Sequence, residues 1–252
     1  MRPFIEMSPD ALMSSSAWQQ ASRKMSRREV CTERLGAPLE SAHEGRMISG
    51  VTPLPSLARD ILDFWFVPRE GERIDQPGSI ARASREVWFR KDDAFDAEIR
   101  ARFGVALAAG MAGAFGEWCT TPDGSLARVV LLDQFTRNAF RGTPLAFGGD
   151  ARALACAEEA IDRGFDAALA PQQRRFLYMP FEHAESLALQ DRGVALFRTL
   201  AADTGLDEPL PWAERHRDVI RRFGRFPHRN AILGRTSSAE ELAFLAQPGS
   251  RF

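Results

Sequence analysis

The sequence predicts an all-α protein with nine or ten helices, packed as antiparallel pairs in a bundle or an α-solenoid. Apolar residues recur at helical spacing along most of the chain, whereas the alternation of Val, Ile and Thr that is typical of strands is nearly absent. Short connections containing Gly or Pro separate the helical stretches, as expected for neighbouring helices. The chain has 252 residues, of which 44% are hydrophobic and 27% charged, which is typical of a globular protein.

Residues 1–52 lack the helical periodicity of the rest, and they contain a serine run, Ser14–Ser16, and a basic run, Arg23–Arg28. We predict that they form a disordered N-terminal extension and that residues 53–252 form a single all-α domain. Met47 is an alternative start of translation. The sequence has no apolar signal core and no apolar run approaching the ~18 residues of a membrane span, so we expect a cytoplasmic protein that does not insert into membranes.

The predicted helices follow one another with recognisable caps. Ser56 is a suitable N-cap for a helix at Leu57–Phe66, and Asp92 or Asp93 is suitable for a helix at Ala94–Phe103. Further predicted helical stretches are Val87–Phe89, Val105–Trp118, Leu126–Arg141, Asp150–Arg163, Gln172–Asp191 with a kink at Pro180, Val194–Asp203, Trp212–Phe223 and Ala239–Ala246.

The helix at Leu126–Arg141 begins apolar on every side and then acquires polar residues at helical spacing. These residues would form one stripe, since positions three or four apart share a helix face. Burying a charge is costly unless it is paired, so the stripe is either the wall of a pocket or an ion-pair network beginning with Asp133 and Arg137. The stripe consists of Asp133, Gln134, Arg137, Asn138 and Arg141.

His183 lies on the predicted helix Gln172–Asp191, and Glu182, Ser186 and Gln190 share its side of that helix. Glu185 projects to the opposite side, so it would share a small site with His183 only if the kink at Pro180 distorts the turn. A histidine among carboxylates is a structural residue, a proton carrier or a metal ligand. No second ligand stands at metal-binding spacing, so we expect no metal site.

His216 lies within the apolar stripe of the predicted helix Trp212–Phe223, where a histidine is typically part of the core. It would belong to a functional site only if it met His183 or Asp133 across a helix interface.

A strongly basic stretch runs from Arg215 to Arg235 and holds seven arginines, two histidines and one acid. Gly224, Pro227 and Gly234 predict a loop in much of it, which leaves backbone N–H groups available. Guanidinium groups and free N–H groups bind phosphate or carboxylate. The alternatives are a solvated basic patch, pairing with acids elsewhere, or RNA binding. The net charge of -1 disfavours nucleic acid.

The three cysteines, Cys31, Cys119 and Cys156, form neither a disulfide framework nor a metal-binding motif. Cys119 and Cys156 stand among apolar residues. We therefore predict that both are small core residues in a reducing compartment.

Three motifs resemble one bacterial family, domain of unknown function family 924, from about Leu57 to Phe252. They read LLDQFTRNAFRGTPLAF, FEHAESLALQ and FGRFPHRNAILGRTSSAEE. The resemblance implies a tetratricopeptide-like helical fold and no established reaction. The chain departs from the family pattern at Thr136, Ala184, Ser186 and Thr236.

We predict a polar pocket that binds a small anionic ligand, with or without catalysis, and no cofactor. Its candidate catalytic residues are His183 or His228, to move a proton, and Asp133, to orient the histidine, a role that Glu182 could also fill. The candidate ligand-binding residues are Arg137, Asn138, Arg141, Glu182, His216, Arg225, Arg229 and Asn230. The alternative is an interaction scaffold that holds a protein partner in a helical groove, with these residues in internal salt bridges.

Overall fold

Eight α-helices account for most of the residues that the computed structural model describes, which are 53–68, 70, 74–75 and 84–250. We label them α1 (Ser56–Phe66), α2 (Asp93–Met111), α3 (122–139), α4 (Asp150–Asp162), α5 (Pro171–Glu182), α6 (Leu187–Thr204), α7 (Pro209–Phe223) and α8 (Ala239–Leu245). Two antiparallel strands of two residues each, β1 (Ile74–Asp75) and β2 (Ser84–Arg85), precede α2. The predicted N-terminal extension, residues 1–52, lies outside the described residues.

The predicted all-α class is confirmed, but the described residues hold fewer helices than the predicted nine or ten. Two predicted helices on either side of Gly104 form the single helix α2, because one glycine costs too little to interrupt a well-packed helix. The predicted stretch Val87–Phe89 forms a single 3₁₀ turn at Glu86–Trp88. Among the described helices, none is both long and apolar enough to cross a membrane.

The central helix of the fold is α3, which contacts α1, α2, α4 and α5. Residues 129–132 in its middle are fully buried and apolar, and Phe135 packs against Trp65 of α1 and Phe103 of α2, with ring centroids 5.5 and 4.9 Å apart. Burying apolar surface on all sides stabilises this helix and holds the polar residues that follow it in a defined place.

A π-helical segment interrupts α3. Pro122–Val129 and Thr136–Ala139 are α-helical, whereas Val130–Phe135 is π-helical. A π-turn spans one more residue than an α-turn, so the residues after it face a different direction from that expected for a regular helix. The backbone carbonyl of Asp133 accepts a hydrogen bond from the Arg137 side chain at 2.7 Å.

The predicted helix Gln172–Asp191 is in fact two helices. Pro180 lies inside α5, which ends at Glu182, and α6 begins at Leu187. The four residues between them, 183–186, form an irregular connection. This break, rather than a kink at Pro180, determines where His183 and Glu185 point.

Cys119 and Cys156 form a disulfide, so the prediction of two free core thiols is wrong. Both residues are buried, as predicted. The bond joins the 3₁₀ turn Gly116–Thr120 to α4. A separation of 37 residues carries no local pattern by which the sequence could reveal this pair.

Candidate functional site

A hydrogen-bonded pair of Asp133 and His183 lies at the centre of the site. Asp133 comes from the π-helical segment of α3, and His183 is the first residue after α5. His183 Nδ1 lies 2.7 Å from Asp133 Oδ1, and Gln134 donates a hydrogen bond to the other carboxylate oxygen. His183 Nε2 makes no hydrogen bond to any residue that the structure describes.

The protonation states of this pair follow from its surroundings. Burial raises the pKa of Asp133, but the charge of Arg137 and the hydrogen bonds from His183 and Gln134 lower it more, to about 2. Burial and the charge of Arg137 lower the pKa of His183. Asp133 is thus an ionised acceptor and His183 a neutral imidazole, so Nδ1 carries the proton and Nε2 has a free lone pair.

Arg137 connects Asp133 to a second carboxylate, that of Asp150 at the start of α4. Arg137 Nη1 lies 3.0 Å from Asp133 Oδ1. The same guanidinium binds Asp150 through two hydrogen bonds of 2.9 and 3.1 Å. This geometry agrees with the predicted ion pair of Asp133 and Arg137, and it leaves Arg137 little capacity for a ligand.

Arg229 is the one predicted anion-binding arginine in the described residues whose guanidinium donates no hydrogen bond to another of them. Its side chain is only 8% exposed, and its Nη1 lies 3.6 Å from Asp150 Oδ2, within an ion pair but beyond a hydrogen bond. Its Nε atom is buried and has no partner there. The rings of Phe147 and Phe226 lie 4.7 and 4.5 Å from its Cζ. Burial and the charge of Arg137 lower its pKa to about 10, so Arg229 is charged at neutral pH.

A cleft of about 310 Å³ opens beside these residues. Arg229, His183 and Asp150 line it together, although they come from three distant parts of the sequence. The other lining residues are Ala151, Leu154, Pro180, Ala184, Glu185, Ser186 and Leu189. The cleft therefore presents a neutral histidine and a buried cation to the same volume.

Glu185 fastens the basic loop after α7 to the edge of the cleft. Its carboxylate accepts hydrogen bonds from both Nη atoms of Arg235, at 2.6 and 2.9 Å, and from the backbone N–H of Phe226 at 2.8 Å. Sequence reasoning placed Glu185 away from His183, on the assumption of a continuous helix. The helix ends before both residues, so they line the same cleft.

A second buried pair, Glu182 and His216, lies behind His183. His216 Nδ1 is 3.0 Å from Glu182 Oε1 and 2.8 Å from the Trp212 carbonyl oxygen, so this nitrogen carries the proton. The ring centroids of His216 and His183 are 6.4 Å apart. His216 therefore meets His183 across a helix interface, which the sequence analysis required of it as a candidate site residue. Neither Glu182 nor His216 lines the cleft itself.

His228 lies beside Phe226, with ring centroids 5.5 Å apart. Burial and the charge of Arg229 lower its pKa to about 3, so His228 is neutral at physiological pH. It does not line the cleft, unlike His183.

The other predicted ligand-binding residues lie elsewhere, in internal contacts. Arg141 and Asn138 both bind Asp96 of α2, with Arg141 Nε 2.8 Å and Asn138 Nδ2 2.7 Å from its carboxylate. Arg141 lies beyond the end of α3 at Ala139, and Asn138 binds α2 rather than Asp133, so the expected single stripe is divided. Arg225 binds Glu241 through hydrogen bonds of 2.7 and 2.8 Å.

Asn230 also lies in an internal contact rather than in the cleft. It donates to Ser237 Oγ at 3.0 Å and accepts from Arg235 Nε at 2.9 Å. The convergence of all three motifs is therefore partial: each motif supplies one member of the group Asp133, His183 and Arg229.

Sequence reasoning missed Asp150 and Ser186 as cleft residues. The sequence predicts Asp150 only as the start of a helix, where the helix dipole favours an acid. It predicts Ser186 on the same side as His183, without a role in the site. Within the described part of the chain, no group of three or more His, Cys, Asp or Glu residues is arranged to hold a metal ion.

Comparisons with known proteins agree with the resemblance seen in the motifs. The family described as "Bacterial protein of unknown function (DUF924)" matches residues 61–249. The solved structure of a protein of unknown function from Agrobacterium tumefaciens is 41% identical, with a TM-score of 0.64, and the match covers 76% of this chain and 97% of that chain. No curated protein gave a significant match.

Proposed function

The chain belongs to the DUF924 family of bacterial proteins, and for this member we propose a small-molecule site that binds an anionic ligand and transfers a proton. In this proposal Arg229 receives the anionic group, His183 exchanges a proton with the ligand, and Asp133 orients His183. The reaction class that fits these roles is general acid–base catalysis on a small anionic substrate.

The observation that carries the proposal is the state of Arg229. A guanidinium has five N–H donors, and leaving donors of a buried charged group without acceptors is costly. Arg229 is buried, lines the cleft and donates no hydrogen bond to a described residue, whereas Arg141 and Arg225 have carboxylate partners. An anionic ligand in the cleft would supply the missing acceptors.

The second part of the proposal rests on His183. A neutral imidazole whose Nδ1–H is held by an ionised carboxylate presents its Nε2 lone pair as a base. Burial keeps the pKa of His183 below its usual value, so it is unprotonated at neutral pH. His183 and Arg229 line one cleft, so a ligand held by the arginine would lie beside the base.

An interaction scaffold is the alternative function. It predicts that the arginines of the motifs form internal salt bridges, and several of them do. Arg141, Arg225 and Arg235 all form internal ion pairs, with Asp96, Glu241 and Glu185 respectively. The scaffold hypothesis gives no reason for a buried guanidinium without hydrogen bonds beside a histidine at a cleft. We therefore prefer the ligand-binding hypothesis.

A thermal-shift panel of small phosphorylated and carboxylated metabolites tests the binding step. We expect some anionic compounds to raise the melting temperature of the full chain, because a ligand at a hundredfold excess over its Kd adds about 2.7 kcal/mol to the free energy of unfolding. The variant Arg229→Gln should lose this shift. The matched control Arg221→Gln should keep it, since Arg221 is exposed and pairs with Asp218 outside the cleft.

The proton-transfer step is tested by ¹⁵N NMR of the histidine side chains. At pH 7 we expect His183 to be neutral with its proton on Nδ1, and Asp133→Asn to disturb this tautomer. The ligand hypothesis fails if no anionic compound in the panel stabilises the wild-type chain. The acid–base role fails if His183 is found protonated at pH 7 or with its proton on Nε2.

A further inference from the structure

The N-terminus of α6 opens onto the same cleft. Ser186, the residue before the first turn, lines the cleft and has an extended backbone with φ -145° and ψ 120°. Its hydroxyl does not cap the helix. The helix that follows has 18 residues, so its N-terminus carries the full partial positive charge of the helix dipole.

The first N–H groups of α6 have no acceptor among the described residues. The backbone N–H of Gln190 donates to the Ser186 carbonyl at 2.9 Å, which is the first hydrogen bond of the helix. The N–H groups of Leu187, Ala188 and Leu189 precede it, and the Ser186 side chain leaves them uncapped. Donors of this kind, at the start of a long helix, bind phosphate groups in many proteins.

Arg229 supplies an independent indication of a ligand at this place. Its side chain is more than nine-tenths buried, lines the same cleft and donates no hydrogen bond to a described residue. The helix terminus and the guanidinium come from parts of the chain that are 43 residues apart, counted from Ser186 to Arg229. Residues from two separate elements that carry unsatisfied donors therefore line one cleft.

We propose that the anionic group of the ligand is a phosphate, bound between the guanidinium of Arg229 and the N-terminus of α6. This inference rests on the proposed function and names its ligand class as phosphate monoesters. A carboxylate has two oxygens in one plane, whereas a phosphate monoester presents three oxygens in different directions. The cleft offers donors from several directions: Arg229, the first turn of α6, and the hydroxyl of Ser186.

The carboxylates at the cleft do not prevent anion binding. Asp150 is bound by both Nη atoms of Arg137, and Glu185 is bound by both Nη atoms of Arg235. Arg137 also binds Asp133, and Arg229 lies 3.6 Å from Asp150, so the three carboxylates Asp133, Asp150 and Glu185 are balanced by the arginines beside them. The N–H donors of Arg229 and of the N-terminus of α6 that have no hydrogen-bond acceptor remain to bind the phosphate.

The test uses inorganic phosphate as the probe and the full chain as the protein. Binding is measured by isothermal titration calorimetry and by the melting temperature, in a buffer free of phosphate, with acetate as the carboxylate probe. We expect the wild-type chain to bind phosphate and both Arg229→Gln and Ser186→Asp to bind it at least about tenfold more weakly. Asp is a good N-cap, so Ser186→Asp should fold normally while placing a negative charge where the phosphate binds.

A matched control makes the same change at another helix. Ser238 is the N-cap of α8, and its residues do not line the cleft. Ser238→Asp should bind phosphate with an affinity within about twofold of the wild type, since no ligand lies at that terminus. A loss of binding in this control as large as in Ser186→Asp would overturn the assignment to α6.

The remaining outcomes separate this inference from the proposed function. If acetate binds in an Arg229-dependent manner and phosphate does not, the phosphate assignment is overturned and the anion site stands. If Ser186→Asp binds phosphate as tightly as the wild type, the N-terminus of α6 is not part of the site. If neither probe binds and the metabolite panel also fails, both proposals are overturned.

Discussion

At the scale of single residues, the arginines of the basic stretch differ in their surroundings rather than in their chemistry. Arg225 reaches a carboxylate and binds it through two nitrogens, whereas Arg229 lies between two aromatic rings with one carboxylate at 3.6 Å. A buried cation without hydrogen bonds lowers the free energy of unfolding, so we infer that Arg229 contributes to binding rather than to stability.

This inference predicts that Arg229→Met stabilises the ligand-free protein. Methionine has a similar length, packs well against Phe147 and Phe226, and does not bury a charge. We expect the free energy of unfolding, measured by chemical denaturation, to rise by about 1 kcal/mol. A fall of that size would show that the guanidinium is satisfied in the free protein and would remove the main support for an anion site.

The companion variant for Arg229→Met is Arg141→Met, which should have the opposite effect. Arg141 binds the carboxylate of Asp96, whose side chain is only 4% exposed. Removing the arginine leaves a buried acceptor short of donors, which costs about 1–3 kcal/mol. The two substitutions remove the same chemical group, so a difference in sign isolates the effect of the surroundings.

At the scale of elements, the site depends on how closely α4 approaches α3. Gly149 precedes α4, and a Cβ atom at this position would overlap the Leu132 carbonyl oxygen in the π-helical segment. Only glycine permits this approach without a shift of the backbone. The approach brings Asp150, the first residue of α4, within reach of the Arg137 guanidinium.

We therefore predict that Gly149→Ala displaces the start of α4 and weakens the contact between Asp150 and Arg137. The free energy of unfolding should fall by about 1–3 kcal/mol, because a backbone carbonyl cannot move aside as a side chain can. Any phosphate binding should weaken as well, since Asp150 positions both arginines.

Gly104 in α2 is the control, because a Cβ atom there has nothing within 4 Å. Gly104→Ala should raise the free energy of unfolding by about 0.5–1 kcal/mol through better helix propensity. Equal destabilisation by the two substitutions would contradict the argument for a close helix approach at Gly149.

At the scale of the whole molecule, the disulfide of Cys119 and Cys156 joins two segments that pack on α3. It closes a long stretch of chain, since the two cysteines are 37 residues apart. Disulfides persist in oxidising surroundings and are rare in the cytosol of most organisms. The bond therefore does not fit the reducing compartment that we predicted from the cysteine count, and a cytoplasmic location stays a prediction.

Reduction of the disulfide should lower the stability of the protein. For a loop of this length the chain-entropy relation gives about 4 kcal/mol, which is an upper value because the unfolded chain retains structure. The measurement is the melting temperature of the wild-type chain with and without a thiol reductant. The double variant Cys119→Ser, Cys156→Ser should melt at a lower temperature than the oxidised wild type and should not respond to the reductant.

The local features of the fold could be predicted from the sequence, because neighbouring residues determine them. The helical class follows from apolar spacing, and the predicted cap at Asp92 is present, since its side chain accepts from the N–H groups of Ala94 and Phe95. These contacts span at most four residues, so their energetics are readable from the chain itself. The predicted cap at Ser56 is wrong, because Ser56 is the first residue of α1 and no side chain caps that helix.

The site could be predicted only in part, because its members are joined by distant contacts. The sequence predicted Asp133, His183 and Arg229 as site residues, but it also predicted Arg141 and Arg225 as ligand-binding residues. Whether an arginine meets a carboxylate depends on which helices pack together. The helix α3 ends at Ala139, so Arg141 lies beyond it and binds Asp96 of α2.

The sequence by itself determined the helical class, most helix boundaries and the set of polar residues from which a site could be built. The tertiary structure decided which of these residues are paired, which cysteines are bonded, and that Arg229 and His183 face one cleft. The physical reason is that secondary structure depends on interactions within a few residues, whereas burial and charge pairing depend on which surfaces of distant helices are brought together.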